Sequence, residues 1–454
     1  LKSFVIQPRF QFTWDLNEQH TDYIRFGAGV FASDINNYVL INNLVFDGKH
    51  SATVDIRSPN IPAVDFAAYR NNPATTPALP AYQLSTINTN GTDARVPVVY
   101  KANVSYSHYF TAKLKVGISG YASLGRNNYM YVDRNMVEKP YFTLAEEGNR
   151  GVYVPLNTMP ANGAGDWLQG RISNKLGRVL ELNSQGKVNQ FAIVVDGTYQ
   201  YFRDGEITAS YTWNDTRDNT SFNGNVANTA TLVLPVRDDP RDLGRISYSD
   251  NQFRHKIVVY GTLPTFWGVT VGLRYSGIGG TRYSLWSGAN SNADFVSVNN
   301  DLAFIFDRNK SNVPQNVRDG LEAIMNNPNA SESIKDYINK YSGEIAERNG
   351  GINEFYGLFD LRIAKKFRLH KTHNIELSGD IFNLANMFNK KWGANKSLGN
   401  QSLYGTGIPA ANGQPAKPNF DIANSRYNYR VNTAGIANPA GDPFQVQLGL
   451  RYNF

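Results

Sequence analysis

Apolar and polar residues alternate one by one along several segments of the chain. Because successive side chains of a β-strand point to opposite faces, this period of two predicts strands with one apolar and one polar face. The C-terminal segment is the clearest example, and its apolar positions are Phe444, Val446, Leu448, Leu450, Tyr452 and Phe454. Residues 206–214 and 267–276 alternate in the same way.

Applied to the whole chain, the pattern predicts about eleven strands, each long enough to cross a bilayer as a tilted strand of about 9–11 residues. The predicted strands are residues 4–15, 22–32, 96–109, 112–124, 187–202, 206–217, 250–263, 267–279, 353–367, 374–386 and 443–454. Two of them alternate less cleanly. In 250–263, His255 falls on the apolar face, and in 374–386 the apolar residues Phe382 and Leu384 switch face.

The connections between these strands alternate in length. Short turns at residues 16–21, 110–111, 203–205, 264–266 and 368–372 alternate with connections of roughly 30 to 70 residues, far above the usual loop length. An outer-membrane barrel has short periplasmic turns and long extracellular loops, whereas a soluble β-sandwich has no reason for this asymmetry. The chain is therefore predicted to be all-β, an antiparallel transmembrane β-barrel with long extracellular loops. Aromatic residues beside the short turns, among them Trp14 and Trp267, add weak support, because such barrels carry interfacial aromatic girdles.

The polar face of such a barrel lines its lumen, and the apolar face meets lipid. The inward-pointing candidates for contact with a solute are Arg25, Arg274, Asp360, Arg362 and Asp380. A sheet in the membrane must close, because hydrocarbon offers no hydrogen-bond partner to its edges. Bacterial single-chain barrels have even strand numbers, so eleven strands indicate half of a larger barrel.

Composition excludes several other classes of protein. The 454 residues contain no cysteine, which rules out disulfides, thiolate zinc sites and thiol nucleophiles. Aromatic residues make up 13% of the chain, too many for a disordered protein. No apolar run approaches the roughly 18 residues of a transmembrane helix. The net charge of +7 is spread along the chain without a dense basic segment, so nucleic acid is not an expected partner.

Four stretches resemble a known family. They are residues 5–12 (VIQPRFQF) with 24–31 (IRFGAGVF), 300–304 (NDLAF), 380–386 (DIFNLAN) and 448–454 (LGLRYNF). The chain resembles the C-terminal half of the barrel of a TonB-dependent outer-membrane transporter, of the Oar-like kind found in Bacteroidota. The resemblance spans nearly the whole chain, although each motif is short and mostly structural.

This resemblance implies a barrel of about 22 strands, an N-terminal plug inside it, and a TonB box that couples release of the solute to energy from the inner membrane. Residues 1–454 contain neither plug nor TonB box, so the whole chain is expected to be barrel, with the TonB complex bound through a part that is missing here. The ending residues Leu450, Tyr452 and Phe454 resemble the signal that the barrel-assembly machinery recognises. Outer-membrane lipid, lipopolysaccharide and a surface lipoprotein are the other expected partners.

Other clusters in the sequence have simpler explanations. Residues 316–346 show helical spacing interrupted by Asn-Pro at 327–328, which predicts two short helices on a loop, with Ser331 or Ser333 capping the second. The oxygen-rich group of Asp294, Asn299, Asn300, Asp301 and Asp307 lacks the regular ligand spacing of an EF-hand, so Asx-rich turns are favoured over a calcium site. His370 and His373 share a turn without a third ligand, which favours solvated histidines over a metal pair.

No catalytic motif is present: the chain has no Gly-x-Ser-x-Gly elbow and no phosphate-binding loop, so neither an enzyme nor a cofactor is expected. Loop aromatics that can stack on a sugar or peptide, or simply pack the loops, are Trp286, Trp392 and Tyr404. The predicted function is active import of a peptide, glycan or chelate through the bacterial outer membrane. The alternatives are a passive porin or surface-scaffold barrel, and a soluble all-β carbohydrate-binding protein.

Overall fold

The structure is a computed structural model of the 454-residue chain. It describes residues 4–34, 37–49, 53–54, 65–72, 83–202, 204–221, 227, 235–294, 296, 300–370, 372–411, 413, 415–438 and 443–454. Residue 203 of one predicted turn, residue 371 of another and Asn299 of the oxygen-rich group lie outside the described residues.

Eleven long strands form one continuous antiparallel sheet, and each strand pairs with its neighbours in the chain. We number them β1 (Arg9–Asp15), β2 (Asp22–Ala32), β3 (Val98–Thr111), β4 (Leu114–Asp133), β5 (Leu176–Gln200), β6 (Glu206–Asp218), β7 (His255–Thr262), β8 (Val269–Gly279), β9 (Tyr356–His370), β10 (His373–Phe382) and β11 (Gln445–Asn453). This meander confirms the predicted all-β antiparallel architecture, and every predicted segment overlaps one strand.

Several strand boundaries differ from the prediction, most clearly those of β4, β5 and β10. β10 ends at Phe382 rather than at 386, because Asn383 adopts a left-handed conformation with φ of 53° and a short helix follows. The change of face seen in the sequence at Leu384 is therefore the end of the strand. β4 and β5 extend well beyond the length that crosses a bilayer, to 20 and 25 residues, and continue as a hairpin on the side of the long loops.

The strand register places the apolar positions of neighbouring strands opposite one another, so that the sheet has one continuous apolar face. Phe12 pairs with Phe26, Phe26 with Val104, and the same face continues through later strands to Leu448 and Tyr452. These side chains are largely exposed, with Leu448 at 83%. The opposite face carries Ser, Thr, Asn and most of the charged residues of the strands. We call these the outer face and the lumen face, as expected for a barrel wall between lipid and water.

The long connections fold into a separate layer at one end of the sheet. Its helices are α1 (Asn37–Val45), α2 (Phe66–Asn71), α3 (Gln315–Asn326), α4 (Glu332–Lys340) and α5 (Leu384–Phe388). Short 3₁₀ turns lie at Ala145–Glu147, Leu156–Thr158 and Trp167–Gly170. The short strands are Thr53–Val54, Gln83–Asn90, Phe142–Leu144, Arg150–Val152, Ser247–Tyr248, Arg282–Tyr283, Leu285–Trp286, Phe304–Ile305, Glu344–Ile345, Gly351–Ile352, Gln401–Ser402, Tyr404–Thr406, Phe420–Asp421, Arg426–Tyr427 and Tyr429–Val431.

The two predicted loop helices are confirmed as α3 and α4. Ser331 caps α4, where its side chain accepts a hydrogen bond from the Ile334 amide. The apolar stripes of both helices are buried in the largest core of the molecule, together with residues from the connections β4–β5, β8–β9 and β10–β11. Among the described residues, no helix has the length and apolarity needed to cross a membrane.

Candidate functional site

Four of the five predicted lumen residues lie together on the lumen face of three adjacent strands. Arg274 of β8 stands opposite Asp360 of β9, and Arg362 of β9 stands opposite Asp380 of β10. Strand alternation explains the placement, because residues two apart on one strand share a face. We call these four residues the charged ladder.

Charge-assisted hydrogen bonds hold the ladder in place. The Arg362 Nη1 atom donates to both carboxylate oxygens of Asp380 at 2.9 Å, and its Nη2 atom lies 3.4 Å from Glu376 Oε1. Asp360 accepts a hydrogen bond of 2.9 Å from the backbone amide of Asn383, just beyond the end of β10. Because the guanidinium of Arg362 meets two carboxylates, its orientation is well defined.

The ladder borders an open depression of about 320 Å³ that also includes Glu206 and Tyr260. The Arg362 side chain is 49% exposed, whereas its partners Asp380 and Glu376 are 16% and 19% exposed. A charged solute can therefore reach the guanidinium and exchange one of its ion pairs for a new one. The chemistry of this wall is reversible binding by charges and hydrogen bonds.

Arg25, the fifth predicted lumen residue, lies on β2 and is separated from the ladder by five strands. It borders a second depression on the lumen face together with Arg9 and Lys101. The guanidinium of Arg9 lies 4.7 Å, and the ammonium of Lys101 5.5 Å, from the centre of the Phe31 ring. We call Arg9, Arg25 and Lys101 the basic patch. Their grouping was not predicted from the sequence, although alternation on β1, β2 and β3 places all three on the same face as Phe31.

The three loop aromatics have different surroundings. Tyr404 is 1% exposed, and its hydroxyl donates a 2.9 Å hydrogen bond to the Phe304 carbonyl, so it packs the loop layer. Trp286 is half-buried on a short strand. Trp392 is 56% exposed and is the member of the three that a solute can reach most easily.

The oxygen-rich group divides into two parts. Asp307 accepts from the Asn309 amide at 3.0 Å in an Asx turn, as favoured from the sequence. Asp294 and Asp301 are both buried in the loop layer, and Asp301 accepts from the amides of Ser291 and Asn292. Among the residues that the structure describes, no group of three or more His, Asp or Glu side chains is arranged to hold a metal ion.

Burial changes the acidity of these two carboxyl groups. Loss of water, together with the negative charge of Asp301, raises the pKa of Asp294 to about 8. Burial also raises the pKa of Asp301, to about 6, because the charge of Arg150 offsets only part of the desolvation.

The C-terminal residues Leu450, Tyr452 and Phe454 are exposed at 73%, 52% and 87%. Leu450 and Tyr452 lie on the outer face of β11, opposite Leu377 and Ile375. The Tyr452 hydroxyl lies 2.6 Å from Nδ1 of His373, and the two rings are stacked with their centres 5.9 Å apart. The role of these three residues as an assembly signal stays a prediction.

Comparison with models of known protein families gives a match that covers most of the chain. A family model described as an outer membrane beta barrel domain matches residues 3–417. No curated protein matches the sequence significantly.

Solved structures also show similarity, at low identity. The outer membrane transporter YddB from Escherichia coli aligns with 84% of the chain at 10% identity and a TM-score of 0.46. The FrpB iron transporter from Neisseria meningitidis aligns with 99% at 9% identity and a TM-score of 0.39. The chain spans 37% and 39% of the lengths of these two proteins.

Proposed function

Because this chain belongs to the family of outer membrane β-barrel domains, we propose that it forms part of the wall of a TonB-dependent transporter that imports a nutrient. The chain is an integral protein of the bacterial outer membrane. That location contradicts the soluble carbohydrate-binding alternative.

The observation that carries the proposal is the open edge of the sheet. Among the described residues, β1 and β11 each pair with one strand only, and both run toward the short turns. Direct closure of β11 on β1 would make a parallel pair in a sheet whose ten other pairs along the meander are antiparallel. An odd number of further strands between them is needed to complete an antiparallel barrel, which agrees with an even total.

A total of 22 strands is the size we propose. Barrels of this size enclose a lumen that must be plugged to keep the membrane sealed, and plugged barrels import solutes actively. In this proposal the plug and the TonB-binding segment lie outside residues 1–454, and a solute crosses the lumen past the charged ladder and the basic patch. The reaction is reversible binding followed by release, without covalent chemistry and without a cofactor.

A passive porin or a scaffold barrel remains the second candidate function. The apolar outer face and the polar lumen face agree equally well with this function, because a barrel without a plug has the same two faces. The two candidates differ in what fills the lumen.

The first test is the intact mass of the native protein extracted from outer membranes. A mass near twice the 50.6 kDa of this chain is expected, since a plug and a second set of strands would add about as much. A mass near 50.6 kDa would contradict the TonB-dependent proposal.

The second test is the conductance of the purified native protein in planar bilayers. A plugged transporter is expected to give no steady open current. A constant open current would support the passive porin instead.

A further inference from the structure

Three arginine side chains surround one tyrosine at the loop end of β6. The guanidinium carbons of Arg282, Arg217 and Arg254 lie 3.6, 4.6 and 5.8 Å from the centre of the Tyr248 ring. Nη2 of Arg217 donates to the Tyr248 hydroxyl at 3.2 Å, and Nη2 of Arg254 does so at 3.4 Å. We call Arg217, Arg254 and Arg282 the arginine cluster.

The cluster lies on the outer face, directly beyond the apolar part of the sheet. Arg217 and Asp215 follow Tyr211 and Trp213 on the outward positions of β6, where Trp213 pairs with Ile193 of β5. The guanidinium of Arg254 lies 5.3 Å from the Trp213 ring. The side chains therefore change from apolar to cationic where the hydrocarbon ends and the outer leaflet headgroups begin.

The positive charge of the cluster is only partly compensated. Among the described residues, the carboxylate that pairs with it is Asp215, which lies 3.0 Å from Arg217 Nε and 2.8 Å from Arg254 Nη2. Three guanidinium groups and one carboxylate leave two positive charges in excess. Arg217 is 49% exposed, so the cluster is open to a ligand.

Arg282 is the least satisfied member. Its Nε atom is buried, and no hydrogen-bond partner for it is found in the described part of the chain. Burial lowers the pKa of the Arg282 guanidinium, and the charge of Arg254 adds to the effect. An anion bound beside the exposed guanidinium of Arg217 would reduce the repulsion among the three positive charges.

We propose that the arginine cluster binds a phosphate group of the glycolipid that forms the outer leaflet of the membrane, the lipid A part of lipopolysaccharide. Guanidinium groups bind phosphate in a bidentate manner, and three of them on one surface suit a phosphorylated sugar. Trp213 and Tyr211, just below, would lie beside its acyl chains. The proposal depends on the orientation of the sheet in the membrane and not on transport, so it stands or fails independently of the TonB proposal.

Binding can be measured on the native full-length protein in detergent, with purified bisphosphorylated lipid A as the probe and native mass spectrometry as the readout. Arg217→Gln is expected to weaken binding about tenfold or more, because a charge-assisted hydrogen bond to phosphate is lost. Arg217→Lys keeps the charge but loses the bidentate geometry, and an intermediate affinity is expected.

Lys256→Gln is the matched control. Lys256 stands opposite Thr212, beside Trp213 but on the lumen face, so its removal takes away one positive charge from the same region of the sheet but from the opposite face. Binding of lipid A is expected to be unchanged in this variant. Heat-modifiable mobility on gels establishes that each variant is folded before binding is compared.

Three results would overturn the proposal. Equal affinity of Arg217→Gln and Lys256→Gln would show that the cluster does not hold the ligand. Equal binding of dephosphorylated lipid A would show that phosphate is not recognised. Displacement of lipid A by inorganic phosphate at matched concentrations would identify a site for the free anion instead of the lipid.

Discussion

Two neighbouring valines on β7 provide a direct test of which face meets lipid. Val259 stands opposite Ala209 and Tyr275 on the outer face, whereas Val258 stands opposite Ser210 and Ser276 on the lumen face. Val259 is four residues from the first residue of the strand and three from the last. A tilted strand rises about 2.3 Å per residue along the membrane normal, so Val259 lies about 9 and 7 Å from the two ends of the strand, near the midplane.

Lysine at these two positions should have very different costs. At the midplane a lipid-facing lysine costs about 2–4 kcal/mol, so Val259→Lys should lower the folding equilibrium constant about 30- to 900-fold. Val258→Lys places the same charge at the same depth in the aqueous lumen, and we expect a change within about 0.5 kcal/mol. The two variants share the native residue, the new residue and the strand, so the difference between them reports the face alone.

The assay is reversible unfolding of the full-length protein in lipid vesicles with urea, followed by heat-modifiable mobility. A cost for Val258→Lys equal to or greater than that for Val259→Lys would show that the two faces are assigned the wrong way round. Costs below about 1 kcal/mol for both variants would show that this part of the sheet does not face hydrocarbon.

Two further predictions concern the loop layer and the lumen. The pKa of about 8 for Asp294 lies above the ordinary value of 3.8, so the folded state binds this proton more tightly than the unfolded state does. The stability that results from this difference is fully present below about pH 4 and is lost as the pH rises through about 8. Thermal unfolding should therefore show the loop layer on the order of 4 kcal/mol more stable at about pH 5 than at about pH 9, and Asp294→Asn should remove most of that difference. For the lumen, Asp380→Cys should react with a membrane-impermeant maleimide, whereas Ile381→Cys on the outer face should be protected by lipid. Residues 1–454 contain no native cysteine, so labelling of this chain reports the introduced residue alone. Equal labelling of both variants, or a pH dependence unchanged by Asp294→Asn, would contradict the respective prediction.

The strands could be predicted from the sequence because each carries its own signal. A period of two is visible within ten residues and needs no knowledge of the partner strand. His255 seemed misplaced on an apolar face, but in the structure it pairs with Trp213 at the end of the outer face, where a polar ring meets the interface. The end of β10, in contrast, was not predictable. Asn383 ends the strand by adopting a left-handed backbone conformation, and apolar residues continue beyond it in the sequence.

The ladder was predictable for the same reason, since alternation assigns Arg274, Asp360, Arg362 and Asp380 to the lumen face. Their mutual contacts were not predictable, because these depend on the register between strands. The arginine cluster combines residues from β6, from the residue before β7, and from a short strand after β8. No local pattern in the sequence relates Arg217 to Arg282, so only the fold reveals the excess charge.

The loop layer shows why the extracellular side was the least predictable part. Arg150, fully buried, donates to the Leu302 carbonyl and lies 3.0 Å from Glu147, which accepts a 2.8 Å hydrogen bond from Tyr429. Three different connections thus meet in one buried polar network.

Such a network is costly when one partner is missing, because an uncompensated buried charge remains. The network therefore favours the arrangement of the three connections in which its charges are paired. Other arrangements could bury the same apolar residues but would leave these charges without partners. We infer that the entrance above the lumen has a defined shape, held by contacts more than 130 residues apart in sequence, such as that between Arg150 and Leu302. Hydrophobic periodicity predicts where helices such as α3 and α4 form, but it contains no information about which loops share a buried charge.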